Sequence, residues 1–285
     1  MSIEPRWGAK TYLMGIVNVT PDSFSGDGIA LPGRDESEIV DAALAQARGF
    51  VEAGAEMLDV GAESTRPASV YGEHPEVDEA TELSLAIPVV EALVRELDER
   101  ALVSIDTTKG AVARAALTAG ARMVNDVWAA RRDPGTADAA AANDAYLVLM
   151  HNKERAVYPE GVLTEVIGWL RVAVEAAVAR GVRRGRLLVD PGIGFGKTSE
   201  HSLEVLRHLA ELRESLGGLP LLVGTSRKRF IGELLGGVPP SERVEGTAAT
   251  VALSIAAGAD VVRVHDVAHM ARTVRVADAI VRGGS

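Results

Sequence analysis

The 285-residue chain contains no cysteine. That excludes disulfide frameworks, thiolate metal centres and cysteine nucleophiles together. Positive charge is also in deficit. Thirty Lys and Arg against 40 Asp and Glu leave a formal net charge of −10, where nucleic-acid binding requires a basic footprint. An anionic small molecule is not excluded, because a local cluster of cations can outvote the mean. No apolar run is long enough to cross a bilayer; the longest, around 247–259, is alanine-rich and too short. The opening residues MSIEPRWGAK lack the apolar stretch of a secretory signal. The expectation is a cytoplasmic protein that binds neither nucleic acid nor membrane, in which the sequon Asn18-Val19-Thr20 meets no glycosylation machinery.

With 47% hydrophobic and 25% charged residues, the composition is that of a folded domain. Eight short runs are nearly continuous in apolar residues: 12–19, 56–63, 102–108, 122–127, 146–151, 187–192, 220–226 and 261–266. Such runs fit parallel strands covered on both faces. Helical stripes lie between them. Leu83, Ile87, Val90, Val94 and Leu97 recur at steps of three and four, as do Leu163, Val166, Ile167, Leu170, Val174 and Ala177. Asp35 with Glu38 forms a helix-start pattern, and Gly54, Gly120, Gly181 and Gly258 stand where helices should stop. Eight strand–helix units in this length predict an α/β fold, a single-domain (β/α)8 TIM barrel spanning 1–285 with the barrel at about 11–282. A doubly wound open sheet is the alternative.

The strands end in polar residues: Asn18, Asp59 with Glu63, Asp106, Asn125 with Asp126, His151, Asp190, Ser226, and the pair Arg263 and His265. One such residue is usually a turn former or cap. Eight strands ending this way converge, in a barrel, on the face where active sites are built. The segment DPGIGFGKT at 190–198 is glycine-rich but lacks the spacing of a nucleotide-binding P-loop, and no G-x-S-x-G elbow is present. Ser226 has no apparent base in the sequence, and His151 reads as a hydrogen-bonded wall. Trp169 and Met270 read as packing residues, and Glu154, Arg155, Arg183, Arg184 and Arg186 as members of solvated loops. GTSRKRF at 224–230 and RVHD at 263–266 bring cations to the strand ends.

These residue types suit a ligand with a donor-rich heterocycle and a phosphorylated tail. Asp106 and Asp190 can accept from ring N–H groups, Asn125 can pair both ways, and Lys228 can donate to a ring oxygen or nitrogen. Arg66, Arg263 and His265 would hold the tail, making a pocket anionic at its floor and cationic at its rim. Asn18 would give its amide oxygen to Mg²⁺, which takes few protein ligands beside phosphates and water.

The ordered set MGIVNVTPDSFSGDG, DVGAESTRP, SIDT, VNDV, DPGIGFGKT, GTSRKRF and RVHDV, covering 14–267, resembles the dihydropteroate synthases of folate biosynthesis. The resemblance implies condensation of 6-hydroxymethyl-7,8-dihydropterin pyrophosphate with p-aminobenzoate, using Mg²⁺, to give 7,8-dihydropteroate and pyrophosphate. It implies pterin contacts at Asp106, Asn125, Asp190, Lys228 and Phe195, with Asp106, Lys228 and Asp27 in catalysis. Pyrophosphate falls to Asn18, Arg66, Arg263 and His265, p-aminobenzoate to Thr65, Pro67, Ser226 and Phe195, and the metal to Asn18. A homodimer is also implied. The loops 19–34 and 62–75 exceed the usual strand-to-helix connection and read as lids.

Three features depart from the family pattern. Asp27 sits one position late in the first loop, Trp128 is bulky beside the N-D pair, and Asn152-Lys153 follows His151. They keep one alternative open, a catalytically weak pterin-binding paralogue; the other, a pterin-binding methyltransferase barrel, would need neither ESTRP nor SRKRF, and both are present.

Overall fold

The computed structural model describes residues 3–20, 28–31, 33–63, 77–97 and 99–283. Its strands are β1 (Tyr12–Asn18), β2 (Met57–Gly61), β3 (Leu102–Asp106), β4 (Met123–Asp126), β5 (Tyr146–Met150), β6 (Leu187–Asp190), β7 (Leu222–Val223) and β8 (Val261–Val264). All pairings are parallel, in the order β6-β5-β4-β3-β2-β1-β8-β7. The seam between β6 and β7 is narrowed by a parallel bridge from Val189 to Leu221, with the Val189 N–H donating to the Pro220 carbonyl at 2.9 Å. The sheet therefore curls into a nearly closed single-domain barrel and is not the open alternative.

The strands are shorter than the apolar runs. Pro191 has no N–H to continue the β6 ladder beyond Asp190, and Pro220 delays β7 until Leu222. The polar strand-end residues accordingly sit at the last ladder position or just past it, at the barrel mouth.

The helices are α1 (Glu36–Ala53), α2 (Glu79–Leu97), α3 (Gly110–Thr118), α4 (Gly135–Ala142), α5 (Val162–Ala179), α6 (Ser199–Arg207), α7 (Leu209–Ser215), α8 (Arg229–Leu234), α9 (Val244–Ala256) and α10 (Val267–Arg282). The Asp35 signal is a capping box: its carboxylate accepts from the Glu38 N–H at 3.0 Å, and Glu38 reaches back to the Asp35 N–H at 3.0 Å. Gly54 closes α1 with φ at 111°, a left-handed cap that a side chain would strain.

The period of two in each strand decides what lies inside. One set, including Tyr12, Met14, Met57, Leu102, Met123, Tyr146, Val148, Leu188, Leu222 and Val261, forms a packed plug joined by Trp7. The other set, such as Leu58, Val60, Val103, Ile105 and Val124, packs outward with the helices. Two residues beyond the plug, the inward positions become Asp59, Ser104, Asn125, Asp190 and Arg263. Polarity therefore begins one pleat above an apolar base. At the opposite end Arg186 is no solvated loop residue. It pairs with Glu4 at 2.6 Å and stacks on Tyr146 at 4.5 Å, covering the rim of the plug.

Candidate active site

Strand register brings Asp59 opposite Ser104, Gly61 opposite Asp106, and Asp106 opposite Asn125. On the other side, Arg263 lies opposite Met14. Its guanidinium donates through Nε to Asp59 Oδ2 at 2.6 Å and through Nη2 to Asp106 Oδ2 at 2.8 Å. Asn125 Nδ2 donates to the same Asp59 oxygen at 2.8 Å. Arg263 is thus drawn down between two carboxylates on the floor, and not held at the cationic rim expected for it.

Burial pushes the Asp106 carboxyl upward, Asp59 adds to that, and Arg263 opposes it. The same surroundings have the reverse effect on Arg263: burial works against its charge, but Asp59 and Asp106 hold its pKa above the usual range. The other oxygens, Asp59 Oδ1 and Asp106 Oδ1, and the Ser104 hydroxyl are buried without a hydrogen-bond partner. Such groups are costly unless a ligand or water satisfies them. Asp126, next in sequence to Asn125, points outward and is spent on structure. It accepts from the Trp128 and Ala130 N–H groups and from the Thr136 hydroxyl, at 2.8, 3.0 and 2.7 Å.

Asp190 closes the floor on the β6 side. Burial pushes its carboxyl up to about 6, against the pull of the Gly192 N–H, Lys228 and Lys197. The glycine loop that follows turns back beneath β5. A Cβ at Gly192 would meet the His151 carbonyl oxygen at 1.9 Å, and one at Gly196 the Lys153 carbonyl oxygen at 2.2 Å. Only glycine allows this approach. The loop presents Phe195, whose ring lies under the Lys228 ammonium at 4.1 Å, while the Lys228 stem covers Gly194. His151 is fully buried, edge-on to Trp169 at 5.1 Å, which fits a wall. Burial first, and Lys197 second, press its pKa down to about 2.

Across the mouth, Ser226 and His265 meet. His265 Nδ1 lies 3.0 Å from the Ser226 hydroxyl, which also accepts the His265 backbone N–H at 3.1 Å. Ser226 therefore does have an imidazole beside it, which the sequence did not reveal because 39 residues separate the two. Arg227 clamps the same loops together by a bidentate pair to Asp266, at 2.9 and 2.7 Å. Arg243 donates to the Arg227 carbonyl at 2.8 Å, below its left-handed backbone (φ 58°).

At β1, the Asn18 carbonyl accepts the Ile29 N–H at 2.9 Å, and the Val19 N–H reaches the Gly61 carbonyl at 2.8 Å. The first two strand ends are thereby sewn together. Lys109 ties Glu63 to the fully buried Glu82, at 2.7 and 2.6 Å.

Asn18, Asp106, Asn125, Asp190, Phe195, Ser226, Lys228, Arg263 and His265 are all carried on strand ends or the loops just after them at one end of the barrel. Asp27, Thr65, Arg66 and Pro67 lie outside the described residues. Trp128 stacks with Arg132, whose guanidinium lies 4.4 Å from its ring. Two residues escaped the sequence reading as site members. Asp59 was visible as a strand-end acid, and its period-two spacing from Met57 would have placed it inward. Lys197 was visible within GFGKT but had no sequence neighbour to explain it.

For a divalent cation, the strand ends offer carboxylate and amide oxygens, the hard donors such an ion takes. With its backbone oxygen committed to Ile29, Asn18 can bring a hard amide oxygen from its side chain. Among the described residues no cluster of three or more His, Cys, Asp or Glu could cage a metal alone.

Residues 14–265 match the family of pterin binding enzymes. The chain is 43% identical over 275 residues to the dihydropteroate synthase of Bacillus subtilis, covering 96% of this chain and 90% of that protein. Among solved structures it resembles the dihydropteroate synthase of Clostridium difficile crystallised in the presence of pteroic acid. The TM-score is 0.87 and the identity 43%, over 97% of this chain and 98% of that one. It also resembles the Xanthomonas albilineans dihydropteroate synthase with 4-aminobenzoic acid, with a TM-score of 0.84 and 42% identity over 95% and 93% of the two chains.

Proposed function

The chain belongs to the dihydropteroate synthases among the pterin binding enzymes, and from that membership we propose how its own residues carry the reaction. The enzyme is a transferase. It joins 6-hydroxymethyl-7,8-dihydropterin pyrophosphate to p-aminobenzoate, giving 7,8-dihydropteroate and pyrophosphate. The observation that carries the residue assignment is the pair of unsatisfied buried oxygens, Asp59 Oδ1 and Asp106 Oδ1, beside Asp190. A ring edge rich in N–H donors supplies what they lack.

In this reading the pterin is held by Asp106, Asn125, Asp190 and Lys228, with Phe195 at its aminobenzoate side. Arg263 uses two of its five N–H groups on the floor carboxylates and directs others to the pyrophosphate. Asn18, Arg66 and His265 share that group. Thr65, Pro67 and Ser226 receive p-aminobenzoate, with Ser226 oriented by His265. Asp27 belongs to the covering first loop. The C–O bond from the pterin methylene to pyrophosphate breaks, leaving cationic character that Asp106 stabilises. The arylamine nitrogen then forms the new C–N bond and loses a proton to solvent or a neighbouring base. Asn18, together with the substrate, would hold Mg²⁺, which when bound would supply charge neutralisation for the leaving group.

Two wider assignments complete the reading. The enzyme is assigned to the cytoplasm as part of this reading, and no helix among the described residues is long and apolar enough to cross a membrane. The mutually packed helices α9 and α10 expose Leu253 and Ile280, at 71% and 78%. These exposed apolar side chains support a homodimer, and Leu253→Glu with Ile280→Glu would yield monomers by sedimentation.

The deciding experiment supplies the purified enzyme with Mg²⁺ and measures pyrophosphate. Release should require both the pterin pyrophosphate and p-aminobenzoate, or a sulfonamide in place of the latter. No release at saturation would favour the silent paralogue.

A further inference from the structure

Lys197 is among the most enclosed cations in the structure, 4% exposed, and the steps above do not use it. Its Nζ has three partners: His151 Nδ1 at 2.7 Å, the Gly192 carbonyl at 3.0 Å and the Phe195 carbonyl at 3.2 Å. The two carbonyls belong to successive bends of the glycine loop, where Gly192, Gly194 and Gly196 all have left-handed backbones. The loop forms few ladder bonds of its own; within it the Phe195 N–H reaches the Gly192 carbonyl at 3.0 Å. Lys197 thus binds one carbonyl that already closes that turn and the carbonyl of Phe195, whose ring lies under the Lys228 ammonium.

The side chain comes from behind the loop, while Lys228 covers its other surface at Gly194 and Phe195. Asp190 lies at the head of the same segment and accepts the Gly192 N–H at 2.7 Å. His151 anchors the amine to β5, held in turn by Trp169.

Burying an amine in this way carries a large desolvation cost. Burial, against the pull of Asp190 and with Lys228 and Lys153 adding to it, drives Lys197 well below the ordinary lysine range. A methionine would fill similar volume without that cost, so packing does not explain the residue. What a methionine cannot do is donate to two loop carbonyls at once.

We propose that Lys197, seated on His151, is a positioning residue for the pterin pocket: it sets the 192–196 loop so that Phe195 and Lys228 meet the ring in one arrangement. The inference rests on the residue assignment of the preceding section. A displacement of the order of 1 Å at a binding loop is enough to cost up to a hundredfold.

The test is Lys197→Met, measured by calorimetric titration with the pterin pyrophosphate and by steady-state kinetics. The expected result is a rise of roughly tenfold or more in Kd and KM for the pterin substrate, with kcat at saturation changed much less. In a double-variant cycle the effect should be largely lost when Phe195 is already Ala, because both changes disturb the same contact. A pterin Kd unchanged in folded Lys197→Met protein, with only a lowered thermal midpoint, would overturn the proposal, as would full additivity with Phe195→Ala. If Lys197→Met does not fold, Lys197→Cys is read instead, as the sole thiol of a cysteine-free chain, before and after aminoethylation. Recovery of pterin affinity on restoring the amine supports the proposal, and equal affinity in both forms overturns it. The unmodified enzyme is the control. If it fails to bind the pterin pyrophosphate, the functional reading fails; if it binds normally, only the role of Lys197 is at stake.

Discussion

Arg263 and Asp59 lie 204 residues apart in the chain and meet as a 2.6 Å ion pair on the barrel floor. The pair joins β8 to β2 across β1, and through Asn125 and Asp106 it extends to β4 and β3. One guanidinium thereby organises four strand ends. Removing one carboxylate from such a buried cation leaves charge uncompensated, at about 3 kcal/mol or more. Asp59→Ala should lower stability by that order and weaken pterin binding, since Asn125 loses its anchor. Denaturant melts with pterin titration check this; an unchanged midpoint and affinity would remove the pair from any organising role.

With Asp190 on the pterin ring as proposed, binding should depend on pH. Its carboxyl is pushed up to about 6 by burial, and ring N–H donors favour the ionised form. Affinity should fall as pH drops below about 6, by up to tenfold per unit for a single proton. For the unliganded protein the sign is opposite. A raised folded pKa means that the folded state holds more protons between about pH 4 and 6, so this contribution to stability is lost as pH rises through that window. Asp126, also pushed up to about 6 by burial, adds in the same direction. Calorimetry in two buffers of different ionisation enthalpy should show proton release on pterin binding near pH 6, and no buffer dependence would exclude Asp190 as the linked group.

Arg227 and Asp266 hold the loops after β7 and β8 in one piece. Lysine has no planar fork to reproduce a bidentate pair. Arg227→Lys should therefore reduce kcat/KM by roughly tenfold, an effect of about 1.4 kcal/mol, because Lys228 and His265 flank the clamp. Steady-state kinetics with both substrates measure it. Full activity in Arg227→Lys would show that the flanking residues hold their places unaided.

Gly192 and Gly161 separate steric contact from backbone strain. Both have positive φ, 67° and 87°. A Cβ at Gly161 meets nothing within 4 Å, whereas one at Gly192 meets the His151 carbonyl oxygen at 1.9 Å. Gly161→Ala should cost about 1–3 kcal/mol of backbone strain, and Gly192→Ala upward of about 4 kcal/mol, or prevent folding. Equal losses in chemical denaturation would contradict the close approach of the glycine loop to β5.

Much of the molecule was legible because local rules and tertiary structure agree. The apolar runs became strands, Asp35 with Glu38 became a capping box, and the polar strand ends gathered at one mouth. The partners were not legible. Asn125 and Asp126 are adjacent acid-and-amide positions, yet one faces the floor and the other the helices, as the strand period requires. Ser226 and His265 are neighbours only because β7 lies beside β8. Lys197 had no readable partner until the loop folded back onto His151.

The sequence by itself determined the repeating strand–helix order, the helix starts and stops, and the family to which the ordered motifs belong. These follow from periodicity, capping and short-range residue chemistry, which act within a few positions along the chain. Only the tertiary structure decided that Arg263 descends between Asp59 and Asp106, that Ser226 has an imidazole beside it, and that Lys197 grips the glycine loop. Those outcomes depend on strand register and on the closing of the barrel. Such long-range pairing brings residues 39 to 204 positions apart within hydrogen-bond distance, and no local pattern encodes it.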